Sequence, residues 1–226
     1  LESALSALPA AVLWDMDGTL VDTEPYWIAA EHALVDAHGG QWSHEQALQL
    51  VGNSLLASAR ILQDAGVRLE AEAIVDWLLD RVVDDVRRHT PWQPGARELL
   101  AALAEAGVPC ALVTMSYRRL ANVVAEQTAG ALRVVVAGDD VRLGKPHPES
   151  YLTAAELLGV PIERCVAIED SPTGIASASA SGARVLGVEA MVPVPRAPGL
   201  SRATSLRAVG LREVARIHAG AVLDLG

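Results

Sequence analysis

The sequence predicts an α/β protein: a doubly wound parallel sheet with a helical unit inserted after the first strand. Three observations carry this expectation. First, five short runs are almost continuously apolar: "AVLWD" (11–15), "CALVT" (110–114), "RVVVA" (133–137), "CVAIED" (165–170) and "ARVLGV" (183–188). They lack the polar alternation of a sheet wet on one face, so they read as strands covered on both sides. Second, helical patterns lie between these runs, at 95–106, 117–128, 148–158 and 172–181, and three of them stop at Gly107, Gly159 and Gly182. Glycine just past the last turn is the favoured helix stop. Strand and helix in alternation imply parallel strands joined by right-handed crossovers. Third, residues 24 to about 90 contain no strand-like run.

Taken in order, the first strand leads into a helix with Pro25 at its favoured first position and Gly39–Gly40 as its stop. Ser43 is a good N-cap for the next helical stretch. Ser54 caps a third, which ends at Gly66, and 70–89 reads as a longer amphipathic helix. "TPWQPG" (90–95) returns the chain to the sheet. The expected division is therefore a core formed by 1–21 and 94–226, with 22–93 as an inserted helical cap, a size that suits a small subdomain. The proline-rich stretch 191–200 reads as a surface loop and 211–219 as a last short helix.

The chain has 226 residues, 51% of them hydrophobic and 20% charged, enough apolar matter for a sizeable core. Phe is absent, so that volume comes from Leu, Val, Ala and five Trp. The net charge of -10 and the lack of a basic run argue against nucleic-acid binding. Cys110 and Cys165 each open an apolar run and read as buried free thiols, which suits a reducing, cytoplasmic setting. No run reaches the roughly 18–20 apolar residues of a membrane span. The first ten residues lack the basic region of a signal peptide.

In open α/β sheets ligands bind beyond the carboxyl ends of the strands. The first strand delivers Asp15 and Asp17 there, followed by Gly18 and Thr19. The second delivers Thr114, Met115 and Ser116. The loop after the third carries Lys145, and the fourth delivers Glu169 and Asp170. Carboxylates gathered at one sheet edge repel one another, and burial sharpens the repulsion. A hard divalent cation with oxygen ligands relieves it, and Mg²⁺ fits that description. Its charge together with Lys145 would attract phosphate, and the hydroxyls and loop amides could hold phosphate oxygens. A carboxylate in such a place is a competent nucleophile, and one two residues on can serve as acid and then base.

These four segments bear a family likeness. "DMDGTLVDTE", "VTMS", "GKPHPE" and "EDSPTG" resemble, in order, the four motifs of the haloacid dehalogenase superfamily, specifically its phosphoglycolate phosphatase and β-phosphoglucomutase-like subgroup. The resemblance covers nearly the whole chain. It implies a Rossmann-like sheet and a helical cap after the first strand. It implies that Asp15 is the nucleophile and a Mg²⁺ ligand, and that Asp17 is the acid/base and ligates through its carbonyl. Thr19 is expected to orient Asp17, beside Gly18. Thr114, Met115, Ser116 and Lys145 are expected to bind the phosphoryl group. Asp170 is expected to ligate Mg²⁺, as is Glu169, directly or through water.

The resemblance implies a phosphatase acting on a small phosphorylated metabolite such as a sugar phosphate. A monomer is expected, with a dimer as the alternative, and neither a nucleic acid nor a membrane as partner. Two other functions are weighed: a phosphosugar mutase, and a non-catalytic phospholigand-binding protein on the same scaffold. The mutase pattern has a cap histidine where this chain has "EPYW", an arginine where it has Leu55, and a lysine where 68–93 contains none. "VTMS" also departs from the "VTN" of many phosphoglycolate phosphatases. The non-catalytic reading would suit a chain lacking Asp15 or Asp17, and both are present. Glu24, Gly52, Asn53 and Ser54 are candidate specificity residues. Ser116 has an alternative role as N-cap of the helix from 117. His147 reads as an exposed loop residue, and Trp27 and Trp42 as packing within the cap.

Overall fold

The computed structural model describes residues 8–50, 54–190 and 192–226. The chain divides into two compact units, one running to Asp22 and resuming at Pro91, the other spanning Thr23–Thr90.

The first unit is built on a seven-stranded sheet: β1 (Ala11–Trp14), β2 (Cys110–Val113), β3 (Leu132–Val136), β4 (Cys165–Glu169), β5 (Arg184–Val188), β6 (Leu200–Ala203) and β7 (Asp224–Leu225). Its order is β3-β2-β1-β4-β5-β6-β7, and every pairing is parallel. The chain builds outward from β1 in one direction through β3 and then returns to build in the other from β4. This reversal leaves β1 between β2 and β4, and such switch points form the ligand crevice of open parallel sheets.

β1, β2 and β4 are buried at every position, as the unbroken apolar runs require. Ala11, Leu13, Ala111, Val113 and Ala167 face one layer, packing with Tyr151, Ala154, Ala155, Ile175 and Ala178. Those residues come from α7 (Glu149–Leu158) and α8 (Pro172–Ser181). Alternation directs Val12 and Trp14 to the opposite face. There α5 (Ala96–Glu105) contacts β2, and α9 (Leu211–His218) contacts β4 and β5. α6 (Arg118–Glu126) contacts β3.

β6 and β7 were not expected. β6 begins at the last residue of the stretch read as a proline-rich loop and carries Arg202 at its centre, and β7 is only two residues long. Neither has an apolar pattern of its own to announce it. β5 provides the ladder for β6, and β6 for β7.

The second unit contains α1 (Glu24–Ala37), α2 (His44–Leu48), α3 (Leu55–Asp64) and α4 (Ala71–Arg88). Ser43 and Gln46 form a reciprocal capping box, the Ser43 hydroxyl accepting the Gln46 amide at 3.2 Å and the Gln46 side chain accepting the Ser43 amide at 2.9 Å. The Ser54 hydroxyl caps α3 by accepting the Ala57 amide. α4 buries Ile74, Val75, Leu78, Leu79, Val82, Val83 and Val86, a 3.6-residue stripe, and contacts both α1 and α3.

α1 buries an acid. Glu31 is 5% exposed, and its Oε2 has no hydrogen-bond partner. Burial pushes its carboxyl up to about 7; the approaching Trp42 indole offsets part of this and Glu24 adds to it. The folded chain thus keeps a proton that the unfolded chain releases above its ordinary pKa. Stability from this group is full below about pH 4.5 and is lost as pH rises through 7. Glu31→Gln is expected to flatten the decline in unfolding free energy between pH 5 and 8, by up to about 3 kcal/mol. Urea titrations of both proteins at the two pH values check it, and equal slopes would disprove it.

Candidate active site

The Asp15 amide still donates to Ile168 O of β4, at 3.0 Å, so Asp15 leaves the sheet in a fixed direction. The following loop folds around Met16, whose carbonyl accepts the amides of Thr19, Leu20 and Val21. Gly18 sits at φ +90, and a Cβ there would run into the Asp170 carboxylate. Only glycine permits both that backbone and that approach.

Lys145 reaches back from its loop into the centre of this edge. Its Nζ donates to Asp15 Oδ1 at 2.6 Å, Glu169 Oε1 at 2.5 Å and Val113 O at 3.0 Å. These use all three donors of the ammonium. Nζ also lies 5.2 Å from the centre of the Tyr151 ring, within cation–π range. Lys145 is the only lysine among the chain's 18 basic residues.

Glu169 is wholly buried. Its Oε1 accepts Lys145 Nζ and, at 2.7 Å, the Tyr151 hydroxyl. Its Oε2 accepts the amides of Asp170 and Ser171 and the Ser171 hydroxyl. A carboxylate has about four lone-pair sites, and protein donors fill those of Glu169. Glu169 therefore backs Lys145 directly. Gly174, in the first turn of α8, lies so near that a Cβ would overlap the Glu169 carboxylate.

The hydroxyl partners differ from expectation. Thr19, expected on Asp17, gives its single hydroxyl proton to Asp170 Oδ1 at 3.3 Å. The Ser116 hydroxyl donates to Asp17 Oδ2 at 2.7 Å. Ser116 is not the N-cap considered for the following helix: that position is Tyr117, and Asp139 accepts the Arg118 amide. The Met115 side chain accepts the Lys145 amide through Sδ, so it shapes the lysine loop. Thr114 is buried, and its Oγ1 accepts the Ser116 amide.

At this sheet edge Asp15, Lys145, Glu169 and Asp170 form one bonded group, and Asp17, Ser116 and Thr114 form a second. The candidate specificity residues belong to the other unit. Glu24 opens α1, Ser54 caps α3, and Gly52 and Asn53 lie outside the described residues. His147 is in an exposed loop, Trp42 is buried and Trp27 is half-buried. Sequence reasoning passed over Tyr151, which has the look of an ordinary core residue of α7. Nothing local to Tyr151 marks it, because its role rests on a hydroxyl that meets Glu169 eighteen positions away.

A family model described as haloacid dehalogenase-like hydrolase matches residues 9–182. The chain belongs to that family. This haloacid dehalogenase-like hydrolase is 35% identical to hexitol phosphatase A of Escherichia coli (strain K12) over 188 residues, 81% of this chain and 85% of that protein. It is 31% identical to the phosphorylated carbohydrates phosphatase of Thermotoga maritima, covering 79% of this chain and 84% of that one. Among solved structures, CbbY from Rhodobacter sphaeroides in complex with phosphate superposes with a TM-score of 0.80 at 26% identity, covering 92% of this chain and 99% of that chain. These relatives set the hydrolase in the phosphoglycolate phosphatase and β-phosphoglucomutase-like subgroup.

The hydrolase's acids fit a divalent cation. Asp15, Glu169 and Asp170 present oxygens that all lie within 4.8 Å of one another, but protein donors occupy Glu169, so Asp15 and Asp170 are the pair that could ligate an ion and Glu169 is not the direct ligand expected from the resemblance. Burial, and then Glu169, push the Asp15 carboxyl well above the ordinary range, with Lys145 pulling the other way. The same two causes raise Asp170 to about 7. One lysine does not neutralise these acids, and an all-oxygen donor set suits Mg²⁺. Lys145 itself is held above its usual value: burial opposes its charge, but Asp15 and Glu169 outweigh it.

Lys145→Met would leave Asp15 and Glu169 buried face to face without their cation. Removing one partner of such a cluster costs roughly 3–5 kcal/mol. Urea unfolding at pH 8 in chelator is expected to show that loss. A variant as stable as wild type would mean the carboxylates are solvated in solution.

Proposed function

We propose that the chain is a Mg²⁺-dependent phosphatase that hydrolyses a small phosphate monoester, in the class of sugar phosphates, through an aspartyl-phosphate. The observation that carries the reading is the Asp15–Lys145–Glu169 chain of ion pairs beside Asp170, at the sheet's switch point. The names of the two relatives, phosphatases of hexitols and of phosphorylated carbohydrates, support the substrate class.

In this reading Asp15, Asp170 and the Asp17 carbonyl hold Mg²⁺, with Glu169 behind them. When bound, the ion offsets the acids' charge and that of the phosphoryl oxygens. Thr114 and Lys145 hold phosphoryl oxygens, and the 115–116 turn completes their loop. A carboxylate oxygen of Asp15 attacks phosphorus as the bond to the leaving oxygen breaks. Asp17 gives that oxygen its proton. Asp17, now a carboxylate, takes a proton from water. The hydroxide oxygen attacks phosphorus, the bond to Asp15 breaks, and orthophosphate leaves.

A phosphosugar mutase shares the first half of this sequence. This chain has "EPYW", Leu55 and no lysine in 68–93 where the mutase pattern has a histidine, an arginine and a lysine, and that favours hydrolysis. The enzyme should act as a single chain in a reducing cytoplasm. The free, buried Cys110 and Cys165 suit that setting, and no helix among the described residues is long and apolar enough to cross a membrane.

Release of p-nitrophenol from p-nitrophenyl phosphate is the first test. It is expected to require Mg²⁺, to stop with chelator and to return with added Mg²⁺. Release that ignores chelator would defeat the metal assignment, and no release under any condition would favour a binding protein. A panel of monoesters including sorbitol 6-phosphate then ranks substrates. Interconversion of glucose 1- and 6-phosphates primed by a bisphosphate would establish the mutase instead.

A further inference from the structure

We propose that the Ser116 hydroxyl is a positioning group for Asp17, holding its carboxyl in the orientation that protonates the leaving oxygen. This rests on the reading of Asp17 as acid and base. The two residues are 99 positions apart in sequence and come from the ends of different strands, yet Ser116 Oγ lies 2.7 Å from Asp17 Oδ2. That length is typical of a hydroxyl donating to a carboxylate.

The donor is itself fixed. The Ser116 amide donates to Thr114 Oγ1 at 3.0 Å, and its carbonyl accepts the Gly138 amide at 2.9 Å. Backbone bonds therefore pin the residue on both sides, and the hydroxyl projects from a loop that cannot easily turn. Of the neighbouring hydroxyls, Thr19 donates to Asp170 and Ser171 to Glu169, while Thr114 Oγ1 accepts the Ser116 amide. A terminal carboxyl rotates readily about its last torsion. A short bond at one oxygen sets the plane of the group, and so the line along which a proton travels. A hydroxyl suits the whole cycle: it donates to the carboxylate form and stays bonded when the other oxygen carries a proton.

A phosphate-binding hydroxyl and an acid-positioning hydroxyl predict different kinetics. Protonation matters little when p-nitrophenolate leaves and greatly when an alkoxide leaves. The test compares kcat/KM, which reports steps up to loss of the alcohol, for p-nitrophenyl phosphate and sorbitol 6-phosphate in Mg²⁺. The proteins are wild type, Ser116→Ala, Ser116→Thr and Asp17→Asn.

Ser116→Ala is expected to lose roughly 10–100-fold on sorbitol 6-phosphate, the scale of one hydrogen bond to a charged group, and under about 3-fold on the aryl ester. Ser116→Thr keeps the hydroxyl and should recover most of the loss. Equal losses on both esters would overturn the proposal and make Ser116 a phosphate ligand. Unchanged values on both would overturn it too. Asp17→Asn separates this from the underlying reading. If it fails to distinguish the two esters, the acid role of Asp17 falls. If it distinguishes them while Ser116→Ala does not, only the role of Ser116 falls.

Discussion

Asp15→Asn is expected to abolish phosphate release while leaving the fold intact. An amide nitrogen or oxygen is a poor nucleophile toward a dianionic ester, so no covalent intermediate forms. Removal of an enzyme's nucleophile costs on the order of 10⁴–10⁶-fold. The surroundings explain why the protein should survive the change. Asparagine has nearly the volume of aspartate, and Lys145 keeps its contacts with Glu169 and the Val113 carbonyl. The substitution also removes a buried negative charge that Glu169 and Asp170 oppose. Without Mg²⁺ the variant should therefore melt no lower than wild type. Wild type given a labelled monoester and quenched in acid should retain label that alkali releases, and Asp15→Asn should retain none. A clean preparation of the variant that still turns over would move the nucleophile elsewhere.

Asp17→Asn should lose about 10²–10⁴-fold, the range that a positioned acid or base supplies. Both halves of the reaction need its carboxyl group, the first as an acid that protonates the leaving alcohol and the second as a base that takes a proton from water. The variant keeps the nucleophile Asp15 and its lysine, so it should still form the aspartyl-phosphate from an aryl ester. It should then hydrolyse that intermediate slowly. The expected signature is a burst of p-nitrophenol of about one equivalent, followed by a slow steady state. A near-normal steady rate would assign the proton to another group.

Much of this fold could be read directly from the chain. Five strands announced themselves as apolar runs; β1, β2 and β4 are covered on both faces, whereas the edge strand β3 keeps Val134 and Val135 half-buried and exposes Arg133. The helices of the Thr23–Thr90 unit were legible for a different reason. Ser43 and Ser54 satisfy the amides that a helix start leaves open, and α4 repeats its apolar positions every 3.6 residues. β6 and β7 were not legible, because their pairing energy comes from β5 and from each other. The site was partly legible. Short motifs showed which residue types stand at the strand ends, and the parallel topology placed those ends on one edge.

The residue-level wiring was another matter. Nothing local in "DGTL" says that Thr19 serves Asp170, and nothing in "VTMS" says that Ser116 meets Asp17. Tyr151 reads as core until its hydroxyl is found on Glu169. Sequence alone determined five of the sheet's seven strands, the helical insertion and the kinds of acid and base at the switch point, since periodicity, capping and motif spacing are local properties. Tertiary structure alone decided which hydroxyl holds which carboxylate and how far burial raises Asp15 and Asp170. Hydrogen bonds and desolvation depend on distances between residues up to 151 positions apart, and only the folded chain sets those distances.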